Sequence, residues 1–243
     1  MDKEAAKPEY STKEEEKNLT KELESKIDEF YRQGCFEDCI GLINDILKNP
    51  MLDRNRRTHL LFKRSNCYRK MDNFEQAEDD LLKVFEMTAT TGSRDFHMRV
   101  LTTMTSNYAD LAKLHKDNPE KKKKYQDLCL EKGSLCVNDS KQQYFLYNHM
   151  GDIYLDRKQI DEAIKAYTIA KKDNPDDYWG YMGIGHVYLE QKQYAESIRY
   201  YDKATELMEK KLETTTDRTR PLHEKKFDEI KEGRKKAIDA LSG

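Results

Sequence analysis

Two related stretches decide the fold: residues 147–175 read YNHMGDIYLDRKQIDEAIKAYTIAKKDNP, and residues 181–209 read YMGIGHVYLEQKQYAESIRYYDKATELME. Aromatic and small side chains return in the second stretch 34 positions after they occur in the first. The matching pairs are Tyr147 with Tyr181, Gly151 with Gly185, Tyr154 with Tyr188, Ala163 with Ser197, Tyr167 with Tyr201, and Ala170 with Ala204. A fixed interval of this length predicts two copies of one structural unit.

The spacing within each copy predicts a pair of packed α-helices. Between residues 147 and 154 the marked positions are three, one and three apart, which places them on one helical face. We expect Gly151 and Gly185 to lie where two helices cross, because a side chain there would push the helices apart. One hairpin cannot bury both of its apolar faces, so the copies must stack on one another.

The pattern resembles that of the tetratricopeptide-repeat family, W-x-x-L-G-x-x-Y…A-x-x-x-F…P. Tyrosine stands at the tryptophan and phenylalanine positions of both copies, and Met150 and Ile184 stand at the leucine position. Pro175 closes the first copy, but Glu209 occupies the same place in the second, so we expect that helix to continue toward Glu213. The resemblance implies an all-α fold, an α-α superhelix of about five helical hairpins with a C-terminal capping helix.

The other segments carry the pattern less clearly. Leu61, Tyr68 and Ala77 keep the offsets of the motif, whereas the register is lost between about 93 and 139, where a longer helical pair is expected. A closing helix with Pro221 in its first turn would cover the last repeat. The predicted segments are a disordered or frayed N-terminus (1–19), N-terminal repeats (20–91), an enlarged degenerate helical pair (92–140), two well-formed repeats (141–211), and a linker with a capping helix (212–243).

Composition narrows the compartment and the partners. The formal net charge is −2, and 37% of the residues are charged, so no global field would concentrate nucleic acid at the surface. The five cysteines show no paired C-x-x-C spacing, which favours buried, reduced thiols. No apolar run is long enough for membrane insertion. We therefore expect a cytoplasmic protein, with a nuclear, cytoskeletal or ciliary location as alternatives.

The resemblance also implies a binding mode. Tetratricopeptide repeats resemble one another in holding a peptide or helix of a partner protein in a concave groove lined by the first helix of each hairpin. The groove-facing candidates of the two clear copies are Phe145, Asn148, His149, Asp152, Trp179, Met182, His186 and Glu190. Their mixed apolar and acidic character suggests a ligand with an apolar anchor and basic flanks. Trp179 is either a binding hot spot or a packing residue.

Three other interaction hypotheses remain beside an adaptor. One is a permanent subunit of a multiprotein complex, such as a ciliary, kinetochore or trafficking assembly, and another is self-association through an uncapped end. The third is a co-chaperone that grips chaperone C-termini with basic and amide side chains. At the corresponding positions this sequence has Glu24, Asp28 and Lys63, and two carboxylates would repel a carboxylate ligand.

The sequence gives no support for an enzyme. The glycines at 180, 183 and 185 fall inside a predicted helix and follow no strand, which disfavours a phosphate-binding loop. The six histidines are scattered, and no spacing suggests a metal site or a catalytic arrangement. We therefore predict a non-enzymatic protein with no catalytic residues, cofactor or metal.

Overall fold

A computed structural model of the protein describes residues 13–91, 93–136, 144–216 and 219–242. These ranges form eleven α-helices and contain no strand. The helices are α1 (Lys13–Gln33), α2 (Phe36–Leu47), α3 (Arg54–Lys70), α4 (Phe74–Thr91), α5 (Arg94–Leu114), α6 (Pro119–Cys136), α7 (Tyr144–Asp156), α8 (Ile160–Asp173), α9 (Tyr178–Glu190), α10 (Tyr194–Glu213) and α11 (Arg220–Ser242). Of the segment predicted to be disordered, residues 1–12 lie outside the described residues, and residues 13–19 belong to α1.

The helices pair into five antiparallel hairpins, which fall into two compact units. Unit 1 extends to Ser93 and contains the hairpins α1–α2 and α3–α4, whereas unit 2 begins at Arg94 and contains α5–α6, α7–α8, α9–α10 and the closing helix α11. The predicted all-α tetratricopeptide fold of about five hairpins and a capping helix is confirmed. Helix α10 continues to Glu213, and Pro221 lies in the first turn of α11, both as expected.

The lengthened pair belongs to unit 2. Helices α5 and α6 have 21 and 18 residues, against 13 and 14 in the next hairpin, and both pack against α7. The register of the sequence is therefore lost inside a hairpin that still stacks on its neighbour, and the boundary between the two units precedes this hairpin.

A shared turn explains the tightness of four hairpins. In three of them the second residue after the first helix is left-handed and is not glycine: Asp72, Lys158 and Lys192 have φ of 57°, 60° and 60°. The next amide donates back to a tyrosine carbonyl five positions earlier, as from Gln159 to Tyr154 at 2.8 Å. The first hairpin turns on a left-handed glycine instead, with φ of 82°. This Schellman geometry satisfies helix-end carbonyls while it reverses the chain.

The hairpins of unit 2 stack through a tyrosine ring set against glycines. Tyr167 of α8 is buried, and a Cβ atom at Gly151 of α7 would lie 2.6 Å from its ring. A Cβ atom at Gly183, in the first helix of the following hairpin, would lie 2.3 Å from the same ring. The ring thus contacts its own hairpin and the next one, and neither glycine can be replaced without moving the ring or a helix.

The same device recurs one repeat later. Tyr201 of α10 faces Gly185 of α9, where a Cβ atom would come within 3.1 Å, and Gly233 of α11, where it would come within 2.5 Å. Ser197, at the position of an alanine in the motif, is buried and donates to the Gly185 carbonyl at 2.8 Å. The closing helix therefore packs on the last hairpin through the same tyrosine–glycine contact that joins the hairpins, and its Ile230 side chain is completely buried.

Unit 1 contains a buried ion pair that the periodicity did not indicate. Arg64 of α3 donates from Nε and Nη2 to the two carboxylate oxygens of Asp80 of α4, at 2.7 and 2.6 Å. The carboxylate is 2% exposed, and Nη1 of the arginine also reaches Asn44 of α2 at 2.5 Å. The bidentate geometry joins three helices across the two hairpins of this unit.

We predict that Gly183→Ala destabilises the protein by about 1–3 kcal/mol, because the new methyl group would overlap the Tyr167 ring. Urea unfolding followed by circular dichroism would measure the change. Gly41→Ala is the matched control: a Cβ at this exposed helical position meets nothing within 4 Å, so it should stabilise by about 0.5–1 kcal/mol. Equal effects of the two substitutions would contradict the packing role of Gly183.

We also predict that Asp80→Ala costs about 3–5 kcal/mol, because it leaves the Arg64 guanidinium largely buried without its carboxylate. Asp45→Ala is the control, since the Asp45–Lys48 pair is exposed and its loss should cost less than about 1 kcal/mol. Thermal and urea unfolding of the two variants would be compared, and a small loss for Asp80→Ala would refute the structural role of the pair.

Candidate functional site

Unit 2 contains a cleft of about 580 Å³ formed by the first helices of its hairpins together with α6 and the closing helix. Its floor is mainly apolar and is formed by Ala109, Ala112, Ile153, Leu155, Met182 and Tyr167. Five lysines, four carboxylates and two histidines surround that floor. The cleft therefore offers an apolar surface inside a densely charged rim.

The structure brings five of the eight predicted groove residues together in this cleft: His149, Asp152, Met182, His186 and Glu190. The other three are not among its lining residues. Phe145 is half-buried near the start of α7, where its ring meets that of Tyr144 edge-on with the ring centroids 6.0 Å apart. Asn148 has no exposed surface, and its Nδ2 lies 3.5 Å from Asp177. Asn148 therefore lies in the interior rather than on the groove surface, because α7 and α9 pack closely here.

Asp152 is the centre of a hydrogen-bonded network at the bottom of the cleft. Its Oδ1 accepts from the Tyr167 hydroxyl at 2.8 Å, and its Oδ2 faces the Lys113 ammonium at 3.2 Å. Burial disfavours the charged carboxylate, but Lys113, the Tyr167 hydroxyl and His149 outweigh it and hold the pKa of Asp152 below its usual value. The ring that packs against the glycines thus also fixes an anion in the cleft.

His186 takes the equivalent place in the next repeat, 34 positions after Asp152. Its Nδ1 lies 2.6 Å from the Tyr201 hydroxyl, and its Nε2 lies 4.0 Å from Glu229 of α11. Burial lowers the pKa of His186, although the negative charges of Glu229 and Asp152 oppose that shift. With a neutral imidazole, the tyrosine hydroxyl donates to Nδ1 and the remaining ring N–H points toward the glutamate side.

Ion pairs occupy the rim of the cleft. The sequence predicted an acidic groove surface, but lysine side chains neutralise these carboxylates. Lys158 lies 2.5 Å from Glu190 across adjacent hairpins, and two further pairs line the cleft. Those pairs are Lys122 with Asp156 and Lys226 with Glu229, each at 2.6 Å. The rim therefore presents both signs of charge at short range.

Sequence reasoning missed the contributions of α5 and α11 to the cleft. Lys113 comes from α5, and Lys226 and Glu229 come from α11. These helices lie outside the two clear copies of the motif, and neither keeps the 34-residue interval to them. No pattern in the sequence could therefore place their side chains beside Asp152 and His186.

Trp179 packs at the edge of the cleft. Its indole is half-buried against the cluster that contains Met182 and Ile230, and it meets the His149 ring edge-on at 5.0 Å. The ammonium groups of Lys113 and Lys226, both of which line the cleft, lie 5.9 Å from its ring centroid. The indole N–H is buried and has no hydrogen-bond partner among the described residues. Trp179 thus packs beside the His149, Lys113 and Lys226 side chains of the cleft.

In unit 1, the positions that correspond to a carboxylate grip are already engaged. Asp28 of α1 pairs with Lys63 of α3, and Glu24 pairs with Arg56 at 3.0 Å. These contacts neutralise the lysine that such a grip would need, and they leave two carboxylates at the surface. The arrangement argues against recognition of a chaperone tail at these positions.

The repeats match known sequence families at the expected places. The model described as "TPR repeat" matches residues 151–192, and the model described as "Tetratricopeptide repeat" matches residues 58–91 and 180–210. This chain is a tetratricopeptide-repeat protein. The matched ranges include the copies around Gly151 and Gly185 and the weaker copy around Tyr68, and together they lie in both units.

Solved structures share this tetratricopeptide fold at low sequence identity. "MamA 41-end from Desulfovibrio magneticus RS-1" is 14% identical with a TM-score of 0.61, covering 78% of this chain and 95% of that chain. "MamA MSR-1 C2" is 15% identical with a TM-score of 0.58, covering 78% and 96%. "Crystal structure of MamA" is 20% identical with a TM-score of 0.54, covering 77% and 96%. At these identities the likeness shows the fold alone. No curated protein matches the sequence.

The fold establishes a protein-interaction scaffold, since tetratricopeptide repeats are in general non-enzymatic modules that hold other proteins. None of the helices in the described ranges is long and apolar enough to cross a membrane. Among the side chains that the structure describes, no group of three or more histidine, cysteine, aspartate or glutamate residues could hold a metal ion.

We predict that His186 makes the stability of the tetratricopeptide protein fall with acidification. The pKa of His186 is lowered on folding from the unfolded value of about 6.5, so the fold prefers the neutral ring. This contribution is complete above about pH 6.5 and is lost as the pH falls through the lowered folded pKa. The free energy of unfolding, measured in urea at about pH 7.5 and about pH 5.5, should decrease less between these pH values for His186→Gln than for the unaltered protein.

The control for that measurement is Gln191→Ala, which removes an exposed side chain that does not titrate. It should keep the pH dependence of the unaltered protein. A part of the dependence should also survive His186→Gln, because burial lowers the pKa of His97 and of His223 as well. An identical pH dependence in the His186→Gln protein would show that this ring does not titrate differently on folding.

Proposed function

We propose that the protein is a non-enzymatic adaptor that binds a peptide or helix of a partner protein in the cleft of unit 2. The observation that carries the proposal is a cleft of about 580 Å³ whose apolar floor lies beside the hydrogen-bonded Asp152 carboxylate and His186 imidazole. A cleft of this size accommodates one or two apolar side chains of a ligand. In helix-in-groove recognition, such a pocket usually receives the apolar anchor residues of the bound helix.

The rim sets the chemistry of the ligand on either side of its anchor. Asp152 and Glu190 already have lysine partners, so a ligand gains little from carrying positive charge alone. Both members of the Lys158–Glu190 pair remain about half exposed or more, at 68% and 49%, and can exchange partners with a ligand. We therefore propose an apolar anchor flanked by charges of both signs, in place of purely basic flanks.

Reversible binding by an adaptor is favoured over permanent assembly by the character of this surface. Permanent interfaces are large and predominantly apolar, whereas the cleft is small and its rim is charged. The outer face of α11 is also highly charged and ends the stack as a cap should. We propose a cytoplasmic location, which the presence of five cysteines as thiols supports.

Trp179 provides a direct assay, because it is the only tryptophan of the protein and it contacts cleft side chains. Short peptides would be selected from a displayed library on the purified full chain, synthesised and titrated against it. We expect a saturable change in Trp179 fluorescence. Ala112→Phe, which fills the apolar floor, should weaken binding by at least about tenfold.

The control is Ala240→Phe, which adds the same ring to an exposed position of α11. It should change the affinity by less than about twofold, as for a substitution outside an interface. Both variants would first be shown to keep the helical circular dichroism of the unaltered protein. Unaltered affinity of the selected peptides for the Ala112→Phe protein would place their site elsewhere and refute the proposal.

A further inference from the structure

Two cysteines of unit 1 touch each other in the interior. Cys39 of α2 and Cys67 of α3 have no exposed surface, and their Sγ atoms are 3.3 Å apart. Both are thiols, and they are 28 positions apart in the chain. The remaining three cysteines differ in setting: Cys35 is half-buried at the start of α2, and Cys129 and Cys136 are buried in α6 of unit 2.

The pair lies at the junction of two hairpins. Helix α2 belongs to the first hairpin and α3 to the second, and the two cysteines share a core cluster with Ile27, Ile43 and Leu60. Packing alone would be served by any small apolar residue at these places. A bond between the two sulfurs would join the hairpins covalently, which packing by separate thiols cannot do.

We propose that Cys39 and Cys67 form a site of reversible oxidation, at which a hydroperoxide converts the two thiols into an intramolecular disulfide. The sulfur atoms need to approach from 3.3 Å to about 2.05 Å, which is a small movement for side chains of two adjacent helices. Disulfide formation would close a loop between α2 and α3 and restrict the opening of the two hairpins.

The chemistry balances with the hydroperoxide as the only co-reactant. The Cys39 thiol loses its proton, the thiolate attacks the peroxide oxygen, and the O–O bond breaks. The leaving oxygen takes up a proton in place of the one that the thiol lost, so the products are a sulfenic acid on Cys39 and an alcohol, or water from hydrogen peroxide. Cys67 then attacks the sulfur of that sulfenic acid, its proton goes to the departing hydroxyl, and water leaves. Two thiols are oxidised and one peroxide is reduced.

The surroundings assign the order of attack. The Cys67 thiol donates its hydrogen bond to Cys39 Sγ. That bond outweighs burial and, with the positive charge of Lys63, lowers the pKa of Cys39, whereas the same bond and burial raise the pKa of Cys67. Cys39 is therefore the attacking thiol and Cys67 the resolving one. Because neither sulfur is exposed, oxidant reaches them only when α2 and α3 separate locally.

The experiment treats the purified full chain with hydrogen peroxide, blocks remaining thiols with iodoacetamide during denaturation, and maps the cysteines by mass spectrometry. We expect a peptide pair joined through Cys39 and Cys67 that has lost two hydrogen atoms and is released by dithiothreitol. Cys39→Ser should abolish the linked pair, and Cys35→Ser should retain it. A linked pair that contains Cys35, or alkylated Cys39 and Cys67 in a sample whose Cys35 is oxidised, would overturn the proposal.

A second variant tests the order of attack without adding a polar group to the core. Cys67→Ala removes the resolving thiol, so sulfenic acid should accumulate on Cys39, where dimedone traps it. Circular dichroism would show that this variant keeps the helical fold. Absence of the dimedone adduct at Cys39 under conditions that link the unaltered protein would overturn the assignment of Cys39 as the attacking thiol.

Discussion

The contact of a tyrosine ring with two glycines is the constraint on which unit 2 depends. Tyr167 lies against Gly151 of its own hairpin and Gly183 of the next, so one side chain sets the distance within a hairpin and between hairpins. A stack whose members touch only their neighbours needs such a contact at every junction. Tyr201 makes the same kind of contact with Gly185 of its own hairpin and with Gly233 of the closing helix. The closing helix therefore packs on the last hairpin with the same geometry.

This constraint also builds the cleft. The hydroxyl of Tyr167 passes the helix crossing and donates to Asp152, and the hydroxyl of Tyr201 lies beside His186 in the same way. Buried hydroxyls need partners, so the packing ring requires a polar residue at this position of each first helix. The fold thus accounts for a polar residue at this position of each first helix, which is an acid in one repeat and an imidazole in the next.

The repeat interval predicted the architecture well, because the residues that pack the helices return at the same interval as the helical hairpins themselves. One spacing predicts the helical hairpins and also the packing positions at Gly151, Gly185, Tyr167 and Tyr201. Gly183 and Gly233 were not recognised as packing residues, since each serves a tyrosine from a neighbouring hairpin and has no counterpart within the motif. The cleft was predicted only in part, because Lys113 and Glu229 come from helices outside the repeated register.

Comparison of the two units shows why the cleft forms where it does. In the α3–α4 hairpin of unit 1, Ser65 stands at the glycine position and Leu81 at the tyrosine position, so the side chain that corresponds to Tyr167 has no hydroxyl. The first helices there are joined at the surface by ion pairs, as between Asp28 and Lys63. In unit 2 the hydroxyls of Tyr167 and Tyr201 form hydrogen bonds with Asp152 and His186. The apolar side chains of the cleft floor lie beside these polar groups. The apolar cleft therefore lies beside the repeats that have the tyrosine–glycine contact.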